Sequence, residues 1–216
     1  MEIGVLGTGM VGQTIGSKLV QLGHQVMLGS RTAANPRAIA WANEEGSPHA
    51  LYGTFKNAAK FGAIVFNCTL GAASLEVLQQ VGVENLKGKI LIDVSNPIDY
   101  SGEGLTLTVC NTDSLGEQIQ RAFPETRVVK TLNTMNCNLM VAPDKVPGRT
   151  NVFVSGNDLK AKETVTEILR DWFGWKSIID LGDITTSRGV EMYLVLWSSL
   201  RHVVTAERFN IKVMTP

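Results

Sequence analysis

Ile3-Gly4-Val5-Leu6-Gly7-Thr8-Gly9-Met10-Val11-Gly12 is the stretch on which the reading of the whole chain turns. A short apolar strand, Ile3–Leu6, runs directly into Gly-x-Gly-x-x-Gly. The residues after it, with Val11, Ile15, Leu19 and Leu22 on one face, repeat at helical spacing. Each glycine has a physical task in such a strand–turn–helix. Gly7 permits the tight turn, Gly9 lets the backbone approach a pyrophosphate, and Gly12 lets the helix pack on the sheet. The helix N-terminus then presents free N–H groups and about half a positive charge to phosphate.

Outward from this stretch, strands and helices alternate. Strands are expected at Gln25–Leu28, His49–Tyr52, Ala63–Cys68, Lys89–Val94, Arg127–Thr131, Asn151–Ser155 and Ser177–Asp180. Helices are expected at Val11–Leu22, Arg37–Glu45 (Asn35 as cap, Pro36 at its start), Thr54–Phe61, Ala73–Val81, Ser114–Phe123 and Asp158–Phe173 capped by Asn157. Asp99–Asp113 reads as a long Gly- and Thr-rich loop, of the kind that is often functional. Alternation of this sort implies right-handed crossovers and helices on both faces of the sheet. The expected fold is therefore α/β, a Rossmann-type doubly wound, mainly parallel sheet. Residues 1–180 form the nucleotide-binding domain, and residues 181–216 a small helical C-terminal cap.

The end of the second strand indicates which dinucleotide. NAD binders usually place Asp or Glu about 20 residues beyond the glycines, on the ribose 2′-OH. This chain instead reads Gly29-Ser30-Arg31-Thr32, with Arg37 nearby. A carboxylate there would repel a 2′-phosphate, whereas a guanidinium fork and hydroxyls accept it in charge-assisted bonds. NADP(H) is expected over NAD(H).

Composition removes other classes. The 216 residues carry 20 basic and 20 acidic side chains, so no long-range field attracts nucleic acid or an acidic membrane. No apolar run approaches the ~18 residues of a membrane span, and the N-terminus lacks a basic signal region. Cys68, Cys110 and Cys137 are widely spaced and form no CxxC, so neither a disulfide framework nor a metal site is expected. These features fit a soluble, cytoplasmic protein. His24, His49 and His202 stand in no triad-like motif and read as structural or solvent-facing.

Beyond the glycine turn, the chain carries Gly29-Ser30-Arg31, Asp93-Val94-Ser95-Asn96-Pro97, Val129-Lys130-Thr131-Leu132-Asn133-Thr134-Met135, and a tail from Gly182-Asp183-Ile184 to Phe209-Asn210-Ile211-Lys212. With these marks it resembles the coenzyme-F420-dependent NADP oxidoreductase family, which includes the reductase domain of the STEAP ferric reductases. The resemblance implies direct hydride transfer between NADPH and a second redox ring, F420 or FMN/FAD, with the cofactors carrying the chemistry. It implies that Thr8, Gly9, Met10 and Val11, between Gly7 and Gly12, line the pyrophosphate. Ser30 and Arg31, with Thr32 and Arg37, would hold the 2′-phosphate. Thr69 and Leu70 would approach the nicotinamide ribose, and Asn96 and Pro97 the nicotinamide. Asn133, Thr134 and Met135 would border the second ring as the catalytic positions. Archaeal F420 enzymes of this kind tend to have histidine at Asn133 and proline at Asn136. The loop is thus kept while its chemistry differs, which leaves the acceptor open among F420, a flavin and another small electrophile. Cys137 sits beside this cleft and reads as inert filler.

In the tail, Val190, Leu194, Trp197 and Leu200 share one helical face; Met192, Leu196 and Ser199 lie on another. Cover over the cleft, a dimer seam or both are expected, and with them a homodimer. Two rivals to ring-to-ring hydride transfer stand. One is NADPH-dependent reduction of a small imine or carbonyl, with Cys137 or a water as proton donor. The other is a non-enzymatic NADP(H)-binding redox sensor.

Overall fold

A computed structural model describes every residue except Tyr100, Glu103, 205–207 and 215–216. One eight-stranded sheet organises the chain. β1 (Glu2–Leu6) lies inside it, with β2 (Gln25–Ser30) and β3 (Ala50–Thr54) on one side. On the other side follow β4 (Ile64–Asn67) and β5 (Ile90–Asp93). A hairpin of two short strands, β6 (Ile98–Asp99) and β7 (Thr106–Leu107), stands apart in the long loop. β8 (Arg127–Thr131), β9 (Val152–Gly156) and β10 (Ile178–Asp180) then complete the large sheet.

Period-two alternation splits the core into two layers. Ile3 and Val5 of β1 face one way, among Leu28, Trp41, Phe66 and Trp175. Leu6 faces the other, among Val65, Leu91, Leu78 and Ile119. The first layer is covered by α1 (Met10–Gln21) and α2 (Pro36–Glu45). The second is covered by α3 (Phe55–Phe61), α4 (Gly71–Val81), the short α5 (Val83–Leu86) and α6 (Leu115–Ala122). This is the doubly wound Rossmann-type α/β arrangement. Strand order reverses between β1 and β4, and their carboxyl ends open the crevice in which such sheets bind ligands.

The far edge departs from the parallel rule. β9 runs antiparallel to β8, with Lys130 opposite Ser155, and β10 is parallel to β9. The β8–β9 connection holds only α7 (Cys137–Met140) and a 3-10 turn at Pro143–Lys145. It contains no long crossover helix of the kind that a parallel return needs.

Two expected boundaries shift. The helix α8 covers Leu159–Glu167 and is capped by Asp158, whose Oδ1 accepts from Ala161 N at 2.8 Å. Asn157 instead accepts from Ile184 N, tying the last segment to the sheet. After Glu167 the helix widens into a π turn, Ile168–Trp172, in which Phe173 N reaches back to the Ile168 carbonyl. The expected tail helix is a 3-10 turn, Ile184–Thr186, followed by α9 (Ser187–Val203); its expected end at residue 205 lies outside the described residues. Beyond it the chain returns to β9, where the Ile211 carbonyl accepts from Asn151 N. No helix among the described residues is long and apolar enough to cross a membrane.

Candidate active site

Sequence dictates the glycine turn through contacts rather than composition. Gly7 has φ +119, and a Cβ on it would lie 2.6 Å from the Cys68 carbonyl oxygen. A Cβ on Gly12 would strike the Gly7 carbonyl, so this glycine seats α1 on the turn. Gly9 differs from both. Its backbone is ordinary extended (φ −80), and a Cβ there meets nothing within 4 Å. Protein packing therefore does not require glycine at position 9, and the space in front of its backbone is open.

The two helix N-termini near this turn are finished differently. Gly9 caps α1 with no side chain, leaving its first amides without a side-chain partner. The first turn of α2 is closed. Pro36 has no N–H, Arg37 and Ala38 donate to Asn35 Oδ1, and Ile39 donates to the Asn35 carbonyl. An anion can thus be met by backbone at α1 but only by side chains near α2. At the end of β2, buried Ser30 donates its hydroxyl to the Thr32 carbonyl at 2.5 Å, which fixes the turn. Arg31, Thr32 and Arg37 are exposed, and neither arginine side chain has an ion pair or hydrogen bond among the described residues.

From the crevice a cleft of about 340 Å³ runs across the ends of β4, β5 and β8. Met10, Val11, Thr69, Leu70, Asn96, Asn133, Met135 and Cys137 all line it, so the expected positions from four separate loops converge. Pro97 and Thr134 do not line it. Pro97 is buried and its carbonyl accepts from Thr108 N, while Thr134 Oγ1 is buried without a partner among the described residues. Met10 (78 % exposed) and Leu70 (50 % exposed) form an apolar, open rim.

Asn96 and Asn133 hold each other. Asn96 Nδ2 donates to the Asn133 carbonyl at 2.8 Å, and Asn133 Nδ2 donates to Asn96 Oδ1 at 2.9 Å and to the Val190 carbonyl at 3.0 Å. Both amide protons of Asn133 are thereby committed within the protein. The pair acts as a brace across the cleft floor, preceded by Leu132 in the left-handed region at φ +63. Thr69 is held in a small hydroxyl–amide chain, donating to Asn67 Oδ1 and sharing a 2.7 Å bond with Ser74 Oγ.

The far wall comes from α9, through Leu194, Trp197 and Arg201. Sequence periodicity found the first two; Arg201 had no signal of its own, because its guanidinium is placed by stacking over the Trp197 ring, 5.8 Å from its centre. Among the described residues, Cys68, Cys137 and Arg201 are the ionisable side chains that line the cleft. Burial, and then the Asp93 charge, push the Cys68 thiol far above its ordinary value, so it stays protonated and is no nucleophile. The histidines lie elsewhere: His24 packs at a tilt against Trp172 and His202 is exposed. Among the described residues no cluster of His, Cys, Asp or Glu is fit to hold a metal.

Beneath the cleft, charged groups join α6 to α9. Arg188 donates through Nε to Glu117 Oε2 at 2.9 Å, and its second nitrogen reaches Oε1. Arg188, against the opposing effect of burial, with help from Ser114, holds the Glu117 carboxyl below its ordinary value. Arg121 holds the neighbouring Asp113 carboxyl at about 2, assisted by Ser114 and Gln118. Both acids are depressed on folding, so they stabilise the fold above their ordinary values and lose that contribution as pH falls through the depressed ones. The melting temperature is expected to hold level down to about pH 5 and to fall between there and about pH 2, with Glu117→Gln lower at neutral pH but flatter in acid. Thermal melts across that range check it.

Comparisons with known proteins bear on the family and the fold. The family model for "NADP oxidoreductase coenzyme F420-dependent" matches residues 2–97. A crystal structure of a candidate F420-dependent NADP reductase from Arthrobacter sp. FB24 is 48% identical, covers 100% of both chains and superposes with a TM-score of 0.94. Metalloreductase STEAP3 of Rattus norvegicus is 29% identical over 88% of this chain and 36% of its own, so the chain spans about a third of the length of that curated relative. A reductive aminase from Aspergillus terreus, in complex with NADPH and ethyl levulinate, is 18% identical over 94% of this chain and 61% of its own, with a TM-score of 0.64, a likeness of fold.

Proposed function

The chain belongs to the coenzyme-F420-dependent NADP oxidoreductase family, and from that premise we propose that it exchanges a hydride between NADP(H) and a deazaflavin or flavin acceptor. The open space before Gly9 fits the nucleotide: it is a cradle that any side chain would fill. Gly7 to Gly12 bind the pyrophosphate through the uncapped amides of α1. Arg31 and Thr32, with Arg37, take the 2′-phosphate on the turn that Ser30 fixes. Thr69, Leu70 and Asn96 border the nicotinamide side, with Pro97 behind Asn96. Asn133 and Met135 border the acceptor, with Thr134 behind them, and residues 181–216 act as the cap. When bound, the nucleotide supplies or receives the hydride, and the protein sets distance and face.

One observation carries the choice of acceptor class. The cleft is a broad, apolar-rimmed slot with no histidine or carboxylate among its described lining residues. Such a wall suits two stacked rings, with any accompanying proton drawn from solvent through the open mouth. Reduction of an imine or carbonyl calls instead for a placed proton donor. The test is to follow loss of NADPH absorbance at roughly 340 nm with F420, FMN, FAD and simple imines in turn. Turnover with F420 or a flavin is expected. Turnover confined to imines would overturn the reading, and tight NADPH binding without any turnover would favour a sensor.

A further inference from the structure

We propose that Lys130, Asp93 and Glu191 form a buried latch that docks α9 on the carboxyl edge of the sheet and so fixes the acceptor wall of the cleft. The inference rests on reading that wall as the acceptor side. Lys130 Nζ, fully buried on β8, lies 2.8 Å from Asp93 Oδ2 and 2.8 Å from Glu191 Oε1, and donates to the Ser95 carbonyl at 2.6 Å. Burial alone would push this ammonium down; the two carboxylates more than reverse that, and it stays charged.

Two carboxylates against one ammonium leave an excess negative charge. The excess is met by the N-terminus of α6: Leu115 N donates to Glu191 Oε2 at 2.8 Å and Gly116 N to Oε1 at 3.0 Å. Asp93 Oδ1 is satisfied by Asn67 Nδ2 and by the hydroxyl and amide of Ser95. Glu191 therefore ties α9 to both β8 and α6, Asp93 ties β8 to β4, and Glu191 is the only member that α9 contributes. One turn on from it along α9 stand Leu194, then Trp197 and Arg201, the cleft wall. One residue before it, the Val190 carbonyl receives Asn133. The glycine turn after β1 and the phosphate-reading end of β2 share no group with the latch; the nicotinamide side meets it only through Asn67, which donates to Asp93 and accepts from Thr69. These three are positioning residues. Their effect should fall on the acceptor and spare the nucleotide.

Glu191→Gln keeps the shape, removes the charge and turns an NH₂ toward donors. Backbone amides of 192–203 are expected to exchange with deuterium at least about ten-fold faster than in the parent, while those of β1 and α1 do not change. The KM for F420 or FMN should rise about five-fold or more with the Kd for NADPH within about two-fold, and Glu191→Asp should recover part of the loss. A second variant avoids ionisable groups: in Gly116→Ala the new Cβ would stand 2.7 Å from Ser187 Oγ and 3.0 Å from Ser187 Cβ, wedging α9 outward. It should give the same split, and it remains readable if Glu191→Gln does not accumulate folded. Parental protection of α9 in Glu191→Gln would overturn the latch. So would NADPH Kd moving in step with acceptor KM, or a freed α9 in Gly116→Ala with acceptor KM unmoved. If the parent turns over neither F420 nor FMN, the acceptor reading fails, while the exchange data and NADPH Kd still decide whether the latch docks α9.

Discussion

Gly9→Thr is expected to weaken NADPH binding by about 100-fold or more, while moving the melting temperature by no more than about 1 °C. The two halves of this expectation come from different facts. Gly9 has φ −80, a conformation any residue adopts, and an added Cβ meets nothing within 4 Å. Threonine and glycine are also comparable as helix N-caps, so α1 loses nothing at its start. The side chain would stand where the pyrophosphate must approach. Displacing the phosphates from the uncapped amides of α1 forfeits charge-assisted hydrogen bonds worth about 1.5–3 kcal/mol each, and loss of two is enough for the expected effect. Gly12→Ala makes the opposite case. Its Cβ would strike the Gly7 carbonyl, so α1 must leave the strand or the turn must deform, at a cost of roughly 1–3 kcal/mol in stability. Fluorescence titration with NADPH and thermal melts on both variants separate the two glycines. A Gly9→Thr protein that binds NADPH like its parent would remove the nucleotide from this turn.

Much of the fold was legible because its determinants are local. The glycine turn, the 3.6-residue periods and the cap at Asn35 lie within a few residues of what they govern. The antiparallel edge was not legible. Direction at β9 depends on the absence of a crossover helix between residues 131 and 152, and the short elements there leave no periodic trace. Within the site, sequence named the loops and missed their bonding. Asn96 and Asn133 were identified as ligand neighbours, yet their amides face each other across two strand ends. Lys130, Asp93 and Glu191 belong to three distant segments, and each alone is an ordinary charged residue in an apolar strand or helix. Only the sheet register, which sets Asp93 beside Lys130, and the docking of α9 assemble them. Arg201 needs the tail helix in place before it has a position at all.

Arg31→Ala is expected to weaken NADPH binding about ten- to a hundred-fold and to leave NADH binding unchanged, with wild-type protein preferring NADPH. The closed N-terminus of α2 makes Arg31 decisive. Because Asn35 takes the Arg37 and Ala38 amides and the Ile39 amide goes to the Asn35 carbonyl, this helix offers a 2′-phosphate no free backbone donor. Ser30 has spent its proton on the Thr32 carbonyl. What remains at the end of β2 to counter the phosphate charge is a guanidinium without a carboxylate partner among the described residues. Arg37, exposed on the first turn of α2, is the second available cation, and Arg37→Ala should cost less, within the roughly 0–1 kcal/mol typical of exposed charge pairs. Both effects should shrink as salt is raised, since screening lengths fall from ~10 Å at 0.1 M to ~3 Å at 1 M. Parallel titrations with NADPH and NADH at two salt concentrations check this. Equal or tighter NADH binding by the parent would show that the end of β2 does not read the ribose phosphate, whatever the glycine turn does with the rest of the nucleotide.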